Sequence, residues 1–180
     1  MGTYAGIGSR ETPHDIQYVM YRIAQKLAAK GWVLRSGGAD GADKAFEQGC
    51  DKVSGEKEIY LPWKGFNSNK SPLYDISEEA FEMASKHHPS WGNCSQGGKR
   101  LHARNCYQVL GKDLKTPVSF ILCYTVGGSG KGGTGQAIRI AKKHNIPIFD
   151  FGKYLDTQNA KNEAILFLKQ FVSRKKLDAD

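Results

Sequence analysis

Three glycine-rich turns, each leaving an apolar run and entering a helix-like segment, constrain this chain more than any other feature of its 180 residues. They are Gly6-Ile7-Gly8-Ser9-Arg10, Ser36-Gly37-Gly38-Ala39-Asp40-Gly41-Ala42-Asp43 and Gly127-Gly128-Ser129-Gly130-Lys131-Gly132-Gly133-Thr134-Gly135. A strand that passes through a tight turn straight into a helix must cross over before it meets the next strand. A repeated strand, glycine turn and helix therefore predicts parallel pairing, with helices covering both faces of the sheet.

The rest of the chain follows the same rhythm. Residues 3–7 read as a short strand, and Thr12-Pro13 as an N-cap followed by proline at the first helical position. Ile16, Val19, Met20, Ile23 and Leu27 then recur at three-and-four spacing, the mark of one buried helix face, up to a stop at Gly31. Residues 32–35 predict a second strand, followed by a helix ending near Gly49, and residues 59–61 a third strand closed by Pro62. Ser77-Glu78-Glu79 caps a helix to about Lys86, Pro89 breaks it, and a polar loop at 92–98 leads to a helix over 99–110. The run 118–124 is the most apolar, as a central parallel strand should be. After the third glycine turn come a helix, a strand at 146–149 and an amphipathic helix over about 158–173. The expected fold class is α/β: a Rossmann-like, doubly wound, mainly parallel sheet in a single domain over 1–180, with its core over about 3–150.

Composition agrees with a chain folded throughout except at its C-terminal end, since 39% of residues are hydrophobic and 24% charged without a low-complexity block. The apolar runs are of strand length, far short of the roughly 20 residues that span a bilayer, so no membrane partner is expected. Residues 1–6 lack the basic and apolar regions of an export signal, which places the protein in the cytoplasm, or the host cytoplasm if it is viral. Cys50, Cys94, Cys106 and Cys123 have no CxxC spacing and read as free thiols. Cys94 lies among His87, His88 and His102, but without zinc-finger spacing, so neither metal nor cofactor is expected. The formal charge of +8 favours polyanionic partners, although part of it sits on Lys142, Lys143, Lys153, Arg174, Lys175 and Lys176, where solvated cations near helix ends are ordinary.

In a doubly wound sheet the ligand crevice lies beyond the carboxyl ends of the strands, where strand order reverses. All three turns leave strand carboxyl ends. Glycine lets backbone amides approach an anion there, and the following helix offers free amides and the positive end of its dipole. The candidate ligand-binding residues are Gly8, Ser9 and Arg10 in the first turn, Ser36, Gly37, Gly38 and Asp40 in the second, and Gly132, Gly133, Thr134, Gly135 and Gln136 in the third. Arg104 and Asn105 join them, because arginine clamps phosphate with paired hydrogen bonds and asparagine can read a base or a ribose hydroxyl. Standard signatures are missing. Gly6-x-Gly8 lacks the third glycine of the dinucleotide motif, and Gly130-Lys131 is followed by Gly132 instead of the magnesium-holding Ser or Thr of a P-loop.

Taken in order, Tyr4-Ala5-Gly6-Ile7-Gly8-Ser9-Arg10, residues 34–43 and Gly132-Gly133-Thr134-Gly135-Gln136-Ala137 resemble the SLOG superfamily, particularly the DprA-like (DNA-processing protein A) proteins that many bacteriophages encode. The resemblance covers residues 4–149 and implies a Rossmann-like domain that, in DprA itself, binds single-stranded DNA. More distantly the chain resembles the LOG (Lonely guy) enzymes, which release a base from a nucleoside monophosphate. Arg104-Asn105 and residues 132–135 look like counterparts of their Arg-Lys pair and glycine loop. Asn105 stands in place of the lysine, however, and Arg139 where the family's glutamate falls, so the carboxylate that would steady oxocarbenium charge is not supplied there. Asp40 or Asp43 could act as acid or base, and each equally suits capping of the helix after Gly41.

Three readings follow. The leading one is a non-catalytic protein that senses or sequesters a nucleotide or nucleotide-derived signal. The second is single-stranded nucleic-acid binding, with Trp63, Phe66 and Trp91 as stacking groups. The third is a LOG-like nucleotide hydrolase. Oligomeric state, including a homo-oligomer, and the role of loops 63–75 and 89–98 as lids are left open.

Overall fold

The computed structural model describes residues 2–172, so the basic residues Arg174, Lys175 and Lys176 and the last position of the expected C-terminal helix lie outside the described residues. Five strands, β1 (Thr3–Gly8), β2 (Val33–Ser36), β3 (Lys57–Ile59), β4 (Ile121–Tyr124) and β5 (Ile148–Asp150), form one sheet in the order β3-β2-β1-β4-β5. Every pairing is parallel. The chain winds outward from β1 to β3, crosses back over β1, and continues through β4 to β5. Strand order therefore reverses between β1 and β4.

Six helices cover the two faces: α1 (His14–Ala29), α2 (Ala42–Lys52), α3 (Glu78–His87), α4 (Gln96–Leu110), α5 (Gly133–Lys143) and α6 (Thr157–Leu168). Strand side chains alternate between two cores. Tyr4, Leu34, Phe120 and Leu122 pack with α1, α2 and α6. Ala5, Ile7, Ile121 and Cys123 pack with α3, α4 and α5. Around Phe120 the first core is aromatic, with Tyr4 stacked at 5.5 Å and Trp32 tilted at 5.2 Å.

Several boundaries differ from those expected, each for a local reason. Thr12 is not the N-cap of α1. Its hydroxyl donates to the Ser9 carbonyl at 2.6 Å, which tightens the first glycine turn, and Pro13 takes the cap position with no side-chain cap bond. Helix α4 begins at Gln96, earlier than residue 99, because Ser95 accepts the Gly98 amide at 3.1 Å and carries the helix through two glycines. The expected cap at Ser77 is present, accepting from the Ala80 amide at 3.2 Å. The expected central strand 118–124 is a strand only from Ile121, and Tyr60 and Leu61 fall beyond β3, with Tyr60 bridging Leu73.

Helix α2 runs three residues past Gly49, which is not a stop signal but a contact point. A Cβ at Gly49 would stand 2.2 Å from the Tyr21 carbonyl oxygen of α1, so the missing side chain lets the two helices touch. Alanine is the better helix former by about 1 kcal/mol, whereas overpacking a close contact costs about 1–3 kcal/mol. The obstacle is backbone and cannot swing aside, so overpacking wins. Gly49→Ala is expected to lower stability by about 1–2 kcal/mol, measured as a fall in the denaturant midpoint at unchanged slope.

Candidate functional site

At the carboxyl ends of β1 and β4, where strand order reverses, lies a cavity of about 500 Å³. That is ample for a nucleotide-sized ligand. One wall is the first glycine turn, Gly8, Ser9, Arg10 and Glu11. The opposite wall is the third, Ser129, Lys131, Gly132, Gly133 and Thr134. Between them α4 supplies Leu101, Arg104, Asn105 and Gln108, and Phe66 closes one side.

The first turn is held by close backbone packing. A Cβ at Gly8 would meet Ala42 Cβ and the Tyr124 amide nitrogen, both at 2.8 Å. Gly41, with φ of +80°, brings the second turn up to the first, where a Cβ would stand 2.5 Å from the Ser9 carbonyl oxygen. Asp43 then links the two. Its carboxylate accepts the Gly8 amide at 3.1 Å on one oxygen and the Ala39 amide at 3.3 Å on the other. It does not cap α2, whose cap is Gly41 without a side-chain bond. Burial pushes the Asp43 carboxyl up to about 6, against the downward pull of the Arg104 charge and the two amides.

Arg104 is 5% exposed. Its Nη1 donates to the carbonyls of Gly37 and of Tyr60, the latter at 3.0 Å, and its Nε donates to Asn105 Oδ1 at 3.0 Å. Burial lowers its pKa to about 10, with the Asp43 charge opposing that shift, so the guanidinium remains charged at neutral pH. Asn105 in turn donates from Nδ2 to the Gly133 carbonyl at 2.9 Å, which fastens α4 to the start of α5. Both ends of its amide are therefore engaged by protein.

The third turn is anchored from behind. Asp150, at the end of β5, accepts the Thr125 amide at 3.0 Å and the Gly152 amide at 2.9 Å, and it bonds the Thr125 hydroxyl, whose oxygen accepts the Gly130 amide at 3.0 Å. With the loop base held, Gly132 and Gly133 face open space: a Cβ at either would meet nothing within 4 Å. Gly133 and Thr134 begin α5, so their amides belong to the first helical turn, which has no intrahelical acceptors.

Of the candidate residues, Gly8, Ser9, Arg10, Arg104, Asn105, Gly132, Gly133 and Thr134 are brought together around the cavity. The second turn stands behind it. Ser36 donates its hydroxyl to the Gly6 carbonyl at 2.6 Å, Gly37 packs on Arg104 and Gln108, Gly38 packs on Leu61, and Asp40 accepts from Asn67 Nδ2 at 3.0 Å at the exposed surface. Gly135 sits against the Gly130 carbonyl. Gln136 is fully buried and turned the other way, donating to the Ala84 carbonyl at 2.8 Å and accepting from Arg139 at 2.7 Å. It is a tie to α3, not a group that reaches a ligand. Gln108, Lys131 and Glu11 line the cavity without having been singled out as ligand contacts, since nothing in their spacing marks them, and Phe66, expected as a stacking group, lines it too.

This geometry can be set beside proteins of known structure. No protein-family model matches the chain, and no curated protein sequence matches it. Solved structures do. DNA processing protein A from Helicobacter pylori, described by its single-stranded DNA binding mode, superposes with a TM-score of 0.58 at 20% identity over 94% of this chain and 81% of its own. The chain shares the fold of DNA processing protein A. DprA from Streptococcus pneumoniae matches with a TM-score of 0.52 at 14% identity, over 93% of this chain but 56% of its own. The molybdenum cofactor carrier protein of Chlamydomonas reinhardtii has the same fold, with a TM-score of 0.56 at 16% identity, over 94% of this chain and 98% of its own. The DprA-like resemblance of the glycine turns thus holds at the level of the Rossmann-like fold. Among the described residues no helix is long and apolar enough to cross a membrane.

The buried carboxylate gives a test of the site's wiring. Because the folded-state pKa of Asp43 lies near 6, above its ordinary 3.8, the folded protein keeps a proton that the unfolded chain has already released between those values. Stability from this group is fully present below pH 3.8 and is lost as pH rises to about 6. Two pH units correspond to about 3 kcal/mol. The difference in unfolding free energy between wild type and Asp43→Asn is expected to fall by that order from pH 4 to pH 6 and then level off; parallel pH profiles would contradict the assignment.

Proposed function

We propose that this protein binds a nucleotide, or a small molecule derived from one, in the cavity between the first and third glycine turns. It would act as a sensor or sequestering protein, a role suggested by the resemblance to SLOG domains that bind nucleotide-derived signals without turning them over. The observation that carries this reading is the start of α5. Gly132 and Gly133 leave room for an anion directly over the first-turn amides, with the Thr134 hydroxyl and Lys131 beside them. Arg10 lines the opposite wall. Arg104 supplies positive potential from the floor, in part offset by Asp43, and Asn105 orients Arg104 and Gly133 instead of reading the ligand. Phe66 and Leu101 provide the apolar surface that a base or ribose would rest on.

Arg104 is a poor residue with which to test binding alone. Its loss would strand the buried Gly37 and Tyr60 carbonyls, at a cost of about 1–3 kcal/mol each in stability. Gly133 separates binding from folding, because alanine fits there without contact and suits the first helical turn. Titration calorimetry against nucleoside mono-, di- and triphosphates, cyclic nucleotides and ADP-ribose is expected to find a ligand for the wild type. Gly133→Ala should bind it at least about tenfold more weakly with melting temperature unchanged or raised, since one lost phosphate contact is worth about 1.5–3 kcal/mol. Lack of binding across the panel would remove the proposal.

Single-stranded nucleic acid is the second reading, favoured by the +8 charge and by Trp63, which packs on the cavity-lining Phe66. Trp63 is 40% exposed and packs edge-on to Phe66 at 5.2 Å, a platform on which a base could stack. Trp91 does not extend this platform, being half-buried with Lys99 over its ring. Oligonucleotide affinity should fall steeply with added salt and weaken in Trp63→Ala by about 1–3 kcal/mol. Absent or salt-insensitive binding would dismiss this reading. Cleavage of a LOG kind has less support, because both oxygens of Asp43 are taken by amides and Arg139 is turned to the His87 carbonyl at 2.7 Å.

A further inference from the structure

Where α3, its connection to α4 and α4 itself meet, three side chains with metal-binding chemistry converge. His88 is the C-cap of α3, Cys94 follows the short turn before α4, and His102 projects from the second turn of α4. One donor atom from each lies within 4.8 Å of the other two. The Cys94 sulfur stands 3.8 Å from both ring nitrogens of His88, and the two imidazole rings are 4.3 Å apart. His87, next in sequence, is not part of the group: its Nδ1 contacts the Met83 carbonyl of its own helix.

A second observation concerns the same histidine of α4. Among the described residues, the only buried side-chain polar atoms without a hydrogen-bond partner are Tyr4 Oη and His102 Nδ1. An imidazole nitrogen withheld from water and left unbonded is costly in a folded protein, and a metal bond would remove that cost.

We propose that His88, Cys94 and His102 form a zinc site that pins the α3–α4 connection to the body of α4. Two imidazoles and a thiolate are the donor types that borderline-soft Zn²⁺ selects. Bond lengths of about 2.0–2.3 Å in tetrahedral geometry place donors about 3.3–3.6 Å apart. The sulfur is already close to that distance from His88, and Cys94 and His88 lie on the connecting segment, where small rotations draw the donors in. Coordination through His88 Nδ1 replaces the hydrogen bond it now accepts from the Ser90 amide at 3.0 Å. Binding releases the Cys94 thiol proton to solvent, and the thiolate charge offsets repulsion from Arg139, whose guanidinium is held by the His87 carbonyl and Gln136. Water completes the fourth position. The site does not depend on what the glycine turns bind, but it fixes α4 two residues before Arg104.

The test uses the untagged full chain, titrated with Co²⁺ as a spectroscopic substitute for zinc and with Zn²⁺ against a competing chelator. One equivalent is expected to bind, with a thiolate-to-cobalt charge-transfer band that disappears in Cys94→Ser. Loss of a group that merely orients a ligand weakens metal binding ~10–100-fold, so His102→Gln, which removes a ligand, should cost about 100-fold or more. His87→Gln should bind as the wild type does. Circular dichroism establishes that each variant is folded. If a variant fails to fold, the wild-type spectrum decides alone, with a charge-transfer band supporting the site and its absence overturning it. Zinc affinity unchanged in folded Cys94→Ser, or equally reduced in His87→Gln, would also overturn it.

Discussion

A single buried carboxylate sets the spacing of the first two glycine turns. Asp43 reaches out of the first turn of α2 to accept one amide from the end of β1 and one from the segment after β2, and Arg104 of α4 faces it across the cavity floor. Burial raises the pKa of the Asp43 carboxyl despite the Arg104 charge, so the two groups add little net stability. What they provide here is position. Gly8, Gly37 and Tyr60 are all fixed by bonds to the two side chains, and Asn105 carries the restraint on to Gly133. The opening over α5 is therefore shaped by a chain of hydrogen bonds that runs from Arg104 through Asn105 to Gly133.

The sheet was legible because its signals are local. Short apolar runs, glycine turns and three-and-four spacing each occupy a few residues, and together they permit essentially one winding. The glycines that read wrongly owe their places to contacts that glycine alone does not announce. Gly49 looks like a helix stop but serves the approach of α1, and Gly97 and Gly98 look like loop but lie in the first turn of α4 behind the Ser95 cap. Thr12 has the composition of an N-cap, yet the nearby Ser9 carbonyl claims its hydroxyl.

The site was legible as a set of turns but not as a set of roles. Which way a side chain points from a helix start depends on neighbours remote in sequence. Gln136 and Thr134 are two residues apart on α5, yet one is buried under α3 and the other faces the cavity. Arg139 follows Gln136 onto that same side, so the position a LOG-like glutamate would hold braces two helices in this chain. The Thr125–Asp150 anchor beneath the third turn was invisible for the same reason, as its partners sit on different strands. The His88, Cys94 and His102 group also has no recognisable spacing. It exists only because α3 and α4 meet at their connected ends.

We propose that the cavity takes a phosphate-bearing small molecule seated on the start of α5. Native mass spectrometry of the gently purified protein, after exposure to the nucleotide pool of a cell extract, tests it most directly. A stoichiometric adduct whose fragments include phosphate is the predicted result. A chain that stays at its bare mass throughout, or that retains a ligand without phosphate, would contradict the account.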